Sequence, residues 1–230
     1  MIFEEFNPNI HDHHKVAELM YSVDFRTYLE VFKTKENAII AFEDLLLIEE
    51  EHKNSKLTNF KMYVIMENTD FEEVNTDFEE VNYINVENYS IDNSINNIIG
   101  ILEIVEGKKA SLFSDMLYLF RKMKLSYALK FAYIFFLDSL VLSNFNEDDL
   151  YLAEVAIDEP QRGKGLGTKI IKKVIEKAKK KGFKRVVLDS DLRNTGATKL
   201  YESIGFKKID EKSPKFFKKE RGMNNMEYIL

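Results

Sequence analysis

Between Ala156 and Val174 the chain reads AIDEPQRGKGLGTKIIKKV, with Gly163, Gly165 and Gly167 crowded together ahead of a lysine-studded run. Bare backbone before a helix suits anion binding: amide hydrogens that a side chain would screen can reach a ligand, and the helix amino terminus adds partial positive charge. Such main-chain donors suit an anion such as a pyrophosphate, with Lys164 and Lys169 adding charge nearby, and a plain tight turn is the bland alternative; the pattern alone does not decide between them. Two familiar phosphate loops do not fit. No Gly-Lys-Ser or Gly-Lys-Thr stands where G-x-x-x-x-G-K-[ST] needs one. A G-x-G-x-x-G fingerprint counted from Gly163 ends on Thr168, and counted from Gly165 it runs into the helix. What remains is Arg162-x-x-Gly165-x-Gly167.

Other chemistries are excluded by what is missing or misplaced. The sequence has no cysteine, which removes disulfides, thiolate metal sites and a covalent thioester relay. His11, His13 and His14 flank a helix start without a carboxylate set at ligand spacing, so a surface turn is expected there and no metal site. The basic run KIIKKVIEKAKKKGFKR has no aromatic side chains between its charges to stack bases, which argues against nucleic acid.

The loop must be positioned by a fold of ordinary size. At 230 residues, 45% hydrophobic and 31% charged, the chain is expected to form a single domain over 1–230 with a real core. Net charge is -6 but unevenly spread: Arg162 to Arg221 holds 20 Lys and Arg against 7 Asp and Glu, leaving 13 against 32 elsewhere. The start, MIFEEFNPN, is acidic, and no uncharged apolar run approaches the ~20 residues of a membrane helix. A cytoplasmic protein without a transmembrane segment is expected.

Periodicity supplies the elements. Ile2 to Phe6 reads as an edge strand. Asp12 caps a helix with Val16, Leu19, Met20 and Val23 on one face, and Phe25, Leu29 and Phe32 continue the spacing after a break. Lys35 to Glu50 reads as a helix carrying Ile39, Phe42 and Leu46, and Phe60 to Glu67 and Asn97 to Gly107 read as strands. Between those strands NTDFEEV occurs twice, over 68–81, and an acidic hairpin loop is expected over 68–96. Ser111 to Asn144 is helical and rich in Phe and Tyr. From Leu150 the order is strand, glycine loop, a helix from Thr168 to Lys181 with Ile170, Ile171, Val174, Ile175 and Ala178 inward, a strand at KRVVLDS, a helix from Asn194 to Gly205, and closing strands at FKKID and NMEYIL.

That order, together with NTGATKLYESIGFKKI, resembles the GNAT-type N-acetyltransferase superfamily. Asn194, Ala197, Leu200, Tyr201, Gly205 and Phe206 match the family's Asn-x-x-Ala-x-x-Leu-Tyr-x-x-x-Gly-Phe pattern. The match is close from about Tyr151 onward. Over 1–106 only the element order agrees, and insertions 68–96 and 108–149 have no counterpart in the family's minimal form.

The resemblance implies one α/β domain, with a mixed, mostly antiparallel sheet splayed at the acetyl-CoA loop and helices on both faces. It implies acetyl-CoA as co-substrate, no metal, and a primary amine as acceptor. Val155, Ala156 and Ile157 would pair with the pantetheine arm. Arg162, Gly163, Lys164, Gly165, Leu166, Gly167 and Thr168 would hold the pyrophosphate. Asn194 is an N-cap with an implied cofactor contact, and Tyr201 corresponds to the family's proton donor to the departing thiolate. Glu154, beside the cofactor strand, is the first choice of base, with Glu103 and Asp189 behind it. The aromatic helical segment 111–144 is a candidate homodimer face. The alternative is a non-catalytic acyl-CoA-binding or regulatory module of the same fold.

Overall fold

The computed structural model describes residues 1–53, 60–67, 98–107, 112–213 and 222–230. In chain order the elements are β1 (Ile2–Glu5), α1 (His13–Val23), α2 (Phe25–Phe32), α3 (Lys35–Lys53), β2 (Phe60–Met66), β3 (Ile98–Glu106), α4 (Leu112–Lys122), α5 (Leu125–Ser139) and β4 (Asp149–Ile157). A 3-10 turn (Glu159–Gln161), α6 (Leu166–Lys180), β5 (Arg185–Asp191), α7 (Thr195–Ile204), β6 (Lys207–Lys212) and β7 (Met223–Ile229) follow. The strands form one seven-stranded sheet in the order β1-β2-β3-β4-β5-β7-β6. Pairs β1–β2, β5–β7 and β6–β7 are antiparallel and β4–β5 is parallel, so the mixed α/β layout is the one expected. The acidic repeat 68–81 and the loop expected over 68–96 lie outside the described residues. The chain divides into two compact units, Met1–Glu103 with Glu154–Lys164, and Ile104–Ala153 with Gly165–Leu230.

In the first unit Asp12 caps α1 as expected, its side chain accepting from the Lys15 amide at 3.0 Å. Val16, Ala17, Leu19 and Met20 are buried, but Val23 is exposed. The helical phase is broken at Asp24, which leaves helical geometry with φ -134° and ψ 58° and caps α2 afresh. The buried face of α2 is therefore Thr27, Tyr28 and Phe32, so of the spacing read from sequence after the break Phe32 is buried while Phe25 and Leu29 are exposed. Tyr28 meets Phe42 of α3 edge-on at 4.8 Å, a favoured aromatic geometry that locks α2 onto α3.

His11 is not part of a surface turn. It is 4% exposed, and its Nδ1 accepts the Asn7 amide at 3.0 Å, which leaves the proton on Nε2 to donate to Glu4 at 3.2 Å. The ring also stacks on Phe6. His14 is exposed and bonds Glu43 at 2.7 Å. His11 and His14 thus engage separate partners, Asn7 with Glu4 and Glu43. Gly100 of β3 is crowded for a different reason: a Cβ there would stand 2.6 Å from the Ala156 carbonyl oxygen of β4.

In the second unit the aromatic stretch is two helices, α4 and α5, parted at Met123 and Lys124. Phe131, Ile134 and Leu137 of α5 are buried, while Leu125, Leu129, Tyr133 and Phe136 are exposed. The inward stripe of α6 is the predicted one, with Lys177 added at 5% exposure. Its side chain is buried with the stripe and its ammonium lies 3.9 Å from Glu106, which also takes Lys181 at 3.0 Å, so the buried charge is paired. Gly182, at φ 77°, ends the helix, its amide bonding the Lys179 carbonyl and the Phe183 amide bonding that of Ala178.

The start of the parallel ladder is fixed ionically. Asp149 of β4, 3% exposed, receives Arg185 of β5 through two hydrogen bonds, at 2.7 and 2.9 Å, and the guanidinium reaches Glu227 of β7 at 2.7 Å. Burial alone would raise the Asp149 pKa, but Arg185 and the Asn146 amide outweigh it and hold the carboxyl below its ordinary 3.8. A depressed folded-state pKa stabilises above the unfolded value, and that contribution is lost as pH falls through the folded one. Arg185→Met strands a buried carboxylate and is expected to cost about 3 kcal/mol, a melting point roughly 6–10 °C lower at pH 7. The gap from wild type should narrow below pH 3.8 as Asp149 protonates in both proteins; a gap that is independent of pH in calorimetric melts overturns this account.

Candidate active site

The site is built along the chain from the end of β4. Ala156 is buried and Val155 and Ile157 are half-buried. The recorded β4–β5 register runs from Asp149↔Arg185 to Leu152↔Leu188, so residues 153–157 lie beyond it, while β5 stays in register with β7 as far as Asp191↔Met223. On the β3 side the Asp158 amide donates to the Ile99 carbonyl at 2.8 Å. The Asp158 side chain accepts from Glu159, opening the 3-10 turn, and binds Lys15 of α1 at 2.9 Å. Arg162 folds back, its Nε donating to the Ile157 carbonyl at 2.8 Å, and Lys164 bonds Gln161 at 2.6 Å. The loop entrance is therefore held by its own side chains.

Gly163 and Gly165 both have left-handed backbone, φ 78° and 75°. A Cβ at either would meet nothing within 4 Å. These glycines answer to backbone conformation and leave open space over the chain. Gly165 is also the N-cap of α6 and has no side chain to offer the first turn. Helices leave their first amides without intrahelical partners, and a capping side chain ordinarily takes one. Here Leu166, Gly167 and Thr168 carry those amides behind a bare cap, and exposed Lys164 and Lys169 add charge.

The second motif forms α7. The Asn194 side chain caps it by accepting from the Ala197 amide at 3.1 Å, so its oxygen is committed and only its amino group is left to touch a ligand. Ser190 of β5 meets Thr198 at 3.0 Å, tying the helix to the sheet. Tyr201, two turns past the cap, lies 5.9 Å from the Phe206 ring. Desolvation pushes its phenol up to about 12, so it holds its proton at neutral pH. Gly205, at φ 117°, ends the helix.

The carboxylates separate clearly. Glu154 is half-buried on β4 and Glu103 is buried on β3. Asp189 accepts from the Ser143 amide at 2.9 Å, the Ser143 hydroxyl at 2.6 Å, the Tyr151 hydroxyl at 2.8 Å and the Asn225 amide. Both its oxygens are occupied, which removes it as a base candidate. Sequence reading missed this cluster and also Gly100. A lone glycine inside a strand pattern is a recognised sign of close backbone approach, so Gly100 carried a usable signal; Ser143 and Asn225 carried none. Among the described residues no group of three or more His, Asp and Glu could hold a metal ion, and no helix is long and apolar enough to cross a membrane.

The pattern of the acetyltransferase (GNAT) family matches residues 131–206. N-alpha-acetyltransferase 30 of Xenopus laevis is 41% identical over 56 residues, 24% of this chain and 20% of that protein. Human N-acetyltransferase 8B is 36% identical over 65 residues, 28% of this chain and 29% of that protein. The chain thus spans less than a third of the length of the curated relatives it matches. A Vibrio cholerae spermidine N-acetyltransferase, solved with CoA and spermine, aligns with 99% of this chain and 94% of its own at a TM-score of 0.56 and 12% identity, a likeness of fold. The family pattern thus lies over β4, the glycine loop and α7, about a third of the chain, and the fold around them is like that of GNAT acetyltransferases.

Proposed function

We propose that the protein transfers an acetyl group from acetyl-CoA to a primary amine of a small molecule or protein, by direct attack within a ternary complex. The observation that carries this is the bare cap: left-handed Gly163 and Gly165 leading into a first turn of α6 that no side chain caps. Residues 162–168 hold the pyrophosphate on main-chain amides, with Lys164 supplying charge. Val155, Ala156 and Ile157 receive the pantetheine arm as an added strand, and Asn194 contributes a contact through its amino group.

In the reaction the amine nitrogen bonds to the thioester carbonyl carbon, the C–S bond breaks, and the products are an amide and the CoA thiol. The Val155 amide donates to the carbonyl oxygen as it gains charge. Tyr201 gives its proton to the leaving sulfur. Thiols have pKa near ~8.5, so this help is worth about 10- to 1,000-fold. Glu154, directly or through water, takes a proton from the amine, which at pKa ~10.4 is mostly charged at neutral pH. No cysteine exists to carry the acetyl group, so positioning of two bound reactants supplies most of the rate.

Calorimetric titration with acetyl-CoA, beside dephospho-CoA and ATP, should give saturable binding selective for acetyl-CoA. Gly165→Glu, which fills and charges the cap, should weaken that binding about 100-fold or more; retained affinity means the pyrophosphate sits elsewhere. With an amine panel that includes spermidine, CoA thiol should appear only when an amine is present. Binding without turnover on any amine favours the non-catalytic module.

Tyr201→Phe should lower kcat about 10- to 1,000-fold at unchanged acetyl-CoA KM. Because the Tyr201 phenol is pushed up to about 12, it stays a proton donor across the assay range, and no alkaline limb of kcat below pH 10 should be its own. An alkaline limb that vanishes in the Phe variant refutes that reading. Glu154→Gln should cut turnover about 100-fold with acetyl-CoA affinity nearly unchanged; an unaltered pH–rate profile removes Glu154 from the mechanism.

A further inference from the structure

The β4–β5 ladder ends at Leu152↔Leu188, and the next residue of β5 is Asp189. Its carboxylate draws donors from three other segments. Ser143 comes from the connection between α5 and β4, Tyr151 from β4, and Asn225 from β7, where it is the cross-strand partner of Asp189. Tyr151 is paired with Val187 in the ladder, so alternation puts its side chain on the face that Asp189 shares two residues on. Its ring stacks on Phe145 at 4.6 Å and 7°, which aims the hydroxyl. Asn225 is 1% exposed and its amide also donates to the Val141 carbonyl at 3.0 Å, so the anchor itself is braced.

A carboxylate engaged by this many donors has little acceptor capacity left for a substrate proton, but it is well suited to fixing geometry. We propose that Asp189 is a positioning residue for the acyl transfer. Anchored on β7 and on the segment after α5, it holds the Tyr151 hydroxyl and so fixes where β4 finishes its ladder and its tail, residues 153–157, begins. The kinetic part of this inference rests on the reading that Val155, Ala156 and Ile157 receive the donor. The inference also gives the helical segment a link to the site, because Ser143 follows α5 directly in the chain.

Tyr151→Phe and Ser143→Ala each delete one hydroxyl from the same carboxylate, so a purely structural cluster predicts similar effects from the two. The positioning role predicts a split. Tyr151→Phe should speed amide hydrogen exchange at residues 152–155 about tenfold, the effect of one charge-assisted hydrogen bond, and raise the acetyl-CoA KM by a similar factor with kcat changed less than about twofold. Ser143→Ala should leave both within about twofold, and Asp189→Asn should reproduce the Tyr151→Phe pattern more strongly. Equal effects of the two hydroxyl deletions, or exchange in Tyr151→Phe that matches wild type, overturns the proposal. Exchange is measured without ligand. If it behaves as expected while the wild-type protein does not bind acetyl-CoA, the donor assignment and the kinetic role fail, and only the hold of Asp189 on the end of the β4 ladder stands.

Discussion

A helix that opens on a left-handed glycine is the constraint from which the candidate site follows. Gly165 sets the point at which α6 begins, and its missing side chain leaves the first-turn amides to an external partner. The same starting point fixes the helix phase, so that Ile170, Ile171, Val174 and Ile175 turn inward and the lysines between them outward. Upstream, Arg162 closing on the Ile157 carbonyl joins the end of β4 to this cap through a short, self-braced turn. Binding geometry and core packing are thus set by one backbone choice, and a shift of either disturbs the other.

Much of this was legible in the sequence because it is local. The glycine spacing, the Asn194 cap, the α6 stripe and the strand periods each lie within a window of a few turns, and each appears in the structure within a few residues of its expected place. Errors came where a local signal was interrupted. Asp24 resets the phase between α1 and α2, so three apolar residues near it that helical spacing grouped with their neighbours, Val23, Phe25 and Leu29, stand exposed. His11 read as surface because imidazole is polar, yet Asn7 and Glu4 satisfy both its nitrogens and make its burial inexpensive.

Long-range polar pairing was the least legible layer. Asp149 with Arg185 and Glu227, and Asp189 with Ser143, Tyr151 and Asn225, join residues up to 46 positions apart. Nothing in composition or periodicity distinguishes these carboxylates from the many solvated ones on an acidic chain. The two clusters divide the work along β5: the first fixes the start of the β4 ladder, and the second lies immediately past its end. Buried charge here is arranged for geometry, and its value depends on every donor being present.

Gly100 has a further effect on how the sheet assembles. Because the Ala156 carbonyl stands where a Cβ would be, only glycine fits that point of β3 without strain. A slip of one residue in either direction would present Ile99 or Ile101 to the same carbonyl and exchange the side chains of two faces that are both buried. A single absent side chain therefore acts as a register lock, accepting one alignment of β3 on β4 and rejecting its neighbours.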